Sequence, residues 1–202
     1  MINTGVDDVT RRWTLRLVAG LAAGAVVLSG CSERQEANDT LPGADASPSA
    51  SEPSLPPLGP PDLPMPAEAR TQDAAGAEAF VRYYIDLINR TSTVMDAAPL
   101  REFSDGCADC NRIATAVEED IAAGYRYEGG ILSITEIAQP LLKESTAEMA
   151  ISADQSALRV LDASGAALDN LSTPPYMDLS GGAALLWNQE QQSWVMTALL
   201  LE

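Results

Sequence analysis

The stretch Gly76-Ala77-Glu78-Ala79-Phe80-Val81-Arg82-Tyr83-Tyr84-Ile85-Asp86-Leu87-Ile88-Asn89 decides how this chain folds. Ala77, Phe80, Val81, Tyr84, Ile85 and Ile88 recur at helical spacing, which leaves Glu78, Arg82 and Asp86 on the other side. The spacing predicts an amphipathic helix over 71–89, with Thr71 as its N-cap and Asp73 suited to the first-turn dipole. Residues 99–103 are expected to form a short second helix. A third is expected over 109–123, with Ile113, Val117 and Ile121 inward, Glu118, Glu119 and Asp120 solvated, and Gly124 as its stop.

Beyond Tyr125 the pattern turns to strands. Stretches 127–137, 147–151, 157–161, 184–187 and 194–201 are rich in aliphatic and aromatic residues and are broken by Asp, Ser, Gly, Asn and Gln turns, with 188–192 as a hairpin loop. Helices followed by antiparallel strands predict an α+β domain over 66–202, of ordinary size for a single core. A long helix lying in a strongly curved sheet resembles the cone-shaped fold of nuclear-transport-factor-like and SnoaL-like domains. Gly129-Gly130 and Gly181-Gly182 are then expected to be the bends that let the sheet curl.

Upstream of this domain the composition is different. Arg11, Arg12 and Arg16 precede an apolar run over 17–30, too short to span a bilayer, so residues 1–30 read as an export signal. The run ends in Leu28-Ser29-Gly30-Cys31, which resembles the lipobox of bacterial lipoproteins. That resemblance implies cleavage before Cys31, diacylglyceryl modification of its thiol, palmitate-type acylation and anchoring at the outer face of the bacterial cell membrane. The Arg pair also looks like a twin-arginine signal, but Thr14 stands where a bulky apolar residue is usual, so general secretion fits better. Residues 31–65, with Pro42, Pro48, Pro53, Pro56, Pro57, Pro60, Pro61 and Pro64, read as a disordered Pro-rich tether.

The aromatic helix, Leu87, Asn89, Leu100, Cys107-Ala108-Asp109-Cys110 and Gly129-Gly130 together resemble an uncharacterised family of actinobacterial secreted lipoproteins. The resemblance implies secretion and anchoring and supplies no activity. With Cys31 lipidated, Cys107 and Cys110 are an even pair outside the cytoplasm, which reads as a structural disulfide. A thiol-disulfide redox centre is the alternative, opposed by the flanking Asp105 and Asp109, which push a thiol pKa upward. Two cysteines are too few for a zinc site.

The 202 residues carry Lys+Arg 12 against Asp+Glu 29, a formal charge of -17, and no histidine. That balance leaves no basic surface to displace counterions from phosphates, so no nucleic acid is expected as partner. Without histidine there is no Ser-His-Asp or Cys-His catalysis and no H-E-x-x-H metal site. No catalytic residue, metal or cofactor is assigned. Tyr84, Tyr127 and Trp187 are the residues that a cone pocket would use; Tyr83, Asp86 and Tyr125 are weaker candidates for the isomerase-like or dehydratase-like enzyme that the fold also allows. The expected function is a lipid-anchored module that binds a small apolar ligand or another envelope protein.

Overall fold

The structure is a computed structural model, and it describes residues 55–202. The expected export signal, Cys31 and most of the Pro-rich segment lie outside the described residues. After a 3-10 turn at Ala67–Arg70 come α1 (Ala74–Val94), α2 (Ala98–Glu102) and α3 (Ala108–Ala122). Seven strands follow: β1 (Arg126–Gly129), β2 (Leu132–Ile137), β3 (Leu141–Lys143), β4 (Thr146–Gln155), β5 (Leu158–Leu161), β6 (Tyr176–Asn188) and β7 (Ser193–Leu201). They form a five-stranded antiparallel sheet in the order β2-β4-β6-β7, with β3 also on β4, and a two-stranded sheet of β1 and β5. This is the expected α+β arrangement of N-terminal helices packed on a curved antiparallel sheet.

Helix α1 is the centre of that packing. All six of its predicted inward residues are buried, together with Tyr83 and Leu87. Its start is later than expected, because Asp73 rather than Thr71 caps it: Asp73 Oδ1 accepts the Gly76 N–H at 2.7 Å. The Thr71 hydroxyl in turn donates to Asp73 Oδ1 at 3.0 Å. In α3 the buried residues are Cys110, Ala114 and Val117, while Ile113 is half-buried and Ile121 exposed. The expected stripe is thus rotated toward the N-terminal turn, where the cysteines hold the helix against the core.

The irregularities in the strand ladders fall at positions other than Gly181-Gly182. Gly181 and Gly182 pair in unbroken register with both β4 and β7, and the register shifts fall at Ile134/Glu136, Ala153/Gln155 and Ala184/Leu185. Each such irregularity bends its strand and increases twist. Gly129 and Gly130, at φ 76° and 71°, do more than bend the chain. They divide the single strand expected over 127–137 into β1 and β2, which join different sheets.

Packing also begins earlier than residue 66. Leu58 and Leu63 pack on the core and Met65 is buried in it. The segment is held by Met65 N–H to the Leu58 carbonyl at 2.8 Å and by a bidentate Arg90–Asp62 pair at 2.8 and 3.0 Å. The proline density that suggests a tether hides three apolar side chains. Prolines with fixed φ lose little further freedom when those side chains dock.

Candidate functional site

The core is closed. Phe80, Tyr84, Phe103, Leu87, Leu100, Leu185, Trp194 and Met196 are all essentially inaccessible. Tyr84 stacks at a tilt on Phe80 and donates its hydroxyl to the Leu100 carbonyl at 3.0 Å. Burial pushes its pKa up to about 12, so it remains a neutral phenol. Trp187 meets Trp194 edge-on at 5.3 Å between ring centroids, and the Trp194 indole N–H donates to the Thr71 carbonyl at 2.9 Å. Tyr84 and Trp187, both expected in a pocket, therefore serve as filling.

Tyr127 is placed differently. It is half-buried and hydrogen-bonds Asp120 on the last turn of α3, and burial followed by that carboxylate raises its pKa well beyond the usual range. It lines a cleft of about 220 Å³ with Ile88, Ile113, Val117 and Leu132. A neighbouring cleft of about 230 Å³ shares Ile88, Ile113 and Leu132 and reaches Leu199. Arg112 lines both, paired with Asp109 at 3.1 Å. Neither Tyr84 nor Trp187 reaches these clefts, so the structure does not bring the three expected pocket residues together.

The cysteines are bonded as Cys107–Cys110, with Cα atoms 5.3 Å apart. Both are buried, and Cys107 Sγ accepts the Cys110 N–H at 3.2 Å at the start of α3. Neither Cys107 nor Cys110 lines a groove described here. Asp86 is exposed on α1, as expected, and desolvation raises its pKa. Among the described residues no group of three or more Asp, Glu, His or Cys side chains is placed to hold a metal.

Two surface features escape sequence reasoning. The first is an open groove of about 570 Å³ on the sheet, formed by Ala150, Gly182, Ala184 and Ala198 beside Leu141 and Glu148. Leu141 is 74% exposed there. Small residues on three adjacent strands are its only sequence signal. The second is a groove of about 420 Å³ between α1 and β2, lined by Arg82, Ile85, Asp86 and Asn89 on the helix and by 131–134 at the strand. The four helix positions follow i, i+3, i+4, i+7, a stripe that the aromatic face overshadows.

No family model matches the chain, and no curated protein matches it. Similar solved structures include the intermembrane space region of the chloroplast protein ARC6, at 15% identity and TM-score 0.47, covering 65% of this chain and 97% of that one. A cystatin-like domain of unknown function from Nostoc punctiforme aligns at 17% identity and TM-score 0.35, over 65% of this chain and 76% of its own. Aln2 from a Streptomyces species is similar at 13% identity and TM-score 0.34, over 61% and 86%. None of these likenesses says what this chain binds.

Proposed function

We propose that this chain is a lipid-anchored lipoprotein of the outer face of a bacterial cell membrane, and that its α+β domain works by binding another envelope protein. The observation that carries the binding reading is the filled core. A ligand pocket usually encloses about 300–1,000 Å³. Here the clefts that reach buried residues of the core measure about 220 and 230 Å³, while the larger openings, the groove of about 570 Å³ on the sheet and that of about 420 Å³ between α1 and β2, are open at the surface. A small apolar ligand has little room inside, whereas a protein needs only an accessible apolar face.

Anchoring rests on Leu28-Ser29-Gly30-Cys31 and the Pro-rich segment that follows. Kinship with the actinobacterial lipoproteins rests on the motifs quoted for it. A redox role finds no support in a disulfide whose sulfurs are buried. For the isomerase-like reading, the carboxylate with a raised pKa among the described residues is Asp86, which lies on an open groove and not inside an apolar cavity.

The test uses the full chain in its own cells. A photo-crosslinking residue at Ala150 should give a discrete adduct with an envelope protein, and one at Glu119 on the solvated side of α3 should not. Cys31→Ser should release the protein or leave it as precursor. Loss of specific adducts from every apolar surface position would end the protein-binding reading, and an unmodified native Cys31 would end the anchoring.

A further inference from the structure

We infer that the outer edge of β2 is a docking site for a short extended peptide of a partner protein, one that alternates apolar and basic residues and adds to the sheet as a strand in the groove beside α1. This deepens the protein-binding reading and rests on it.

The edge is identifiable from the pairing. Strand β2 ends the sheet order, with only β4 as its ladder partner. Leu132 pairs with Gln155, Ser133 with Asp154 and Ile134 with Ala153. The Ser156 N–H donates to the Ile131 carbonyl at 2.9 Å, so Ile131 and then Ser133 direct their backbone groups at β4. By the alternation of an antiparallel ladder, Leu132 and Ile134 direct theirs outward.

One of these two outward rungs is already occupied. The Asn89 side chain donates from Nδ2 to the Leu132 carbonyl at 2.8 Å and accepts the Leu132 N–H at Oδ1 at 2.8 Å. Its amide thus makes the pair of hydrogen bonds that a neighbouring strand would make. Ile134, the next rung, has no such side chain against it among the described residues. Beyond it the register shift between Ile134 and Glu136 interrupts the ladder. A bulge followed by a charged residue is how sheet edges are protected from indefinite pairing. The same device here leaves a short open stretch, which suits a few residues of peptide and not a second sheet.

The groove supplies the rest of the recognition. Ile85 of α1, itself buried, and the half-buried Ile131 and Ile134 at β2 line it, so side chains on one face of an added strand meet an apolar lining supplied mainly by the strand. On the helix side Arg82 is engaged by Glu78 at 2.8 Å. Asp86 has no hydrogen bond or ion pair among the described residues and is partly desolvated. An uncompensated carboxylate there, in a chain of net charge -17, selects a basic side chain on the incoming peptide.

The test applies two end-capped synthetic hexapeptides to the full chain, one alternating valine with lysine and one alternating valine with glutamate, while exchange of individual amides is followed by NMR. The lysine peptide should slow exchange of the Ile134 N–H at least tenfold and leave that of Leu132, already bonded to Asn89, little changed. The glutamate peptide should not protect it. Asp86→Lys, at an exposed position, should weaken the lysine peptide about threefold or more and favour the glutamate peptide. Failure of both peptides to protect Ile134, protection indifferent to Asp86→Lys, or protection confined to the face around Ala150 would each overturn the proposal. Crosslinks to an envelope protein from Ala150 alongside an unprotected Ile134 would overturn this edge and keep the protein-binding reading, whereas absence of any specific crosslink would overturn that reading itself.

Discussion

Asn89 on α1 closes both hydrogen bonds of Leu132 on β2, each at 2.8 Å, and so fastens the central helix to the edge of the sheet. The contact lies just after Gly130, where the chain leaves the small sheet and enters the large one. One side chain therefore sets where the second sheet begins relative to the helix. Asn89→Ala leaves a part-buried donor and acceptor without partners, which costs about 1–3 kcal/mol. Urea unfolding should show the lower midpoint at unchanged slope. Asn89→Asp should recover only part of the loss, because a carboxylate accepts the Leu132 N–H but has no donor for the carbonyl.

The disulfide is expected to contribute stability and no turnover. Closing so small a ring constrains the unfolded chain by about 2 kcal/mol. Cys110→Ser should lower the melting temperature by roughly 5–10 °C in a domain of this size. Alkylation of the native protein under mild reductant should be slow until the domain unfolds, since both sulfurs are buried beside α3. Fast alkylation of folded protein at acidic pH is the result that would reinstate the redox reading.

Gly59 tests whether the segment before residue 66 belongs to the folded unit. It sits at φ 88°, and a Cβ there would occupy the space of the Tyr83 hydroxyl. That hydroxyl donates to the Leu63 carbonyl at 3.3 Å. Gly59→Ala should therefore destabilise by more than about 1 kcal/mol, through strain and loss of the Tyr83 contact together. A change of a few tenths in chemical denaturation would place the segment outside the cooperative unit.

Acid should loosen the same segment. The Arg90 guanidinium holds the Asp62 carboxyl below its ordinary range. A lowered folded pKa means that the stabilisation is present above the unfolded value, 3.8, and is lost as pH falls through the folded one. Asp62→Asn should accordingly lower the urea midpoint at pH 7, with the difference from the parent shrinking toward zero well inside the acid range. A difference that persists there would show that the residue acts by shape and not by charge.

Much of the fold is legible in the sequence because it rests on short-range pattern. The six apolar residues of α1 obey one period, and the change at Tyr125 from helical to strand character is abrupt. Strand β3 escapes that reading because Leu141–Lys143 is only three residues long, and β6 shows only in its last part because its first half lacks an apolar run. The site is less legible. Aromatic residues at Tyr84 and Trp187 signal large side chains without saying whether a cavity lies between them, and packing has filled the space. The α1–β2 groove depends on Asn89 meeting Leu132, 43 residues away, a relation that no local period contains.

The closed core is the claim from which the protein-binding reading follows, and benzene is the probe that tests it most directly, because a dry apolar cavity admits it. Methyl NMR spectra of the full chain should be recorded during a benzene titration, reading Leu87, Leu100, Leu185 and Met196. Unshifted core methyls up to saturating benzene are the predicted result. Saturable shifts of those four residues' methyls would reveal an internal cavity of ligand size and contradict the account.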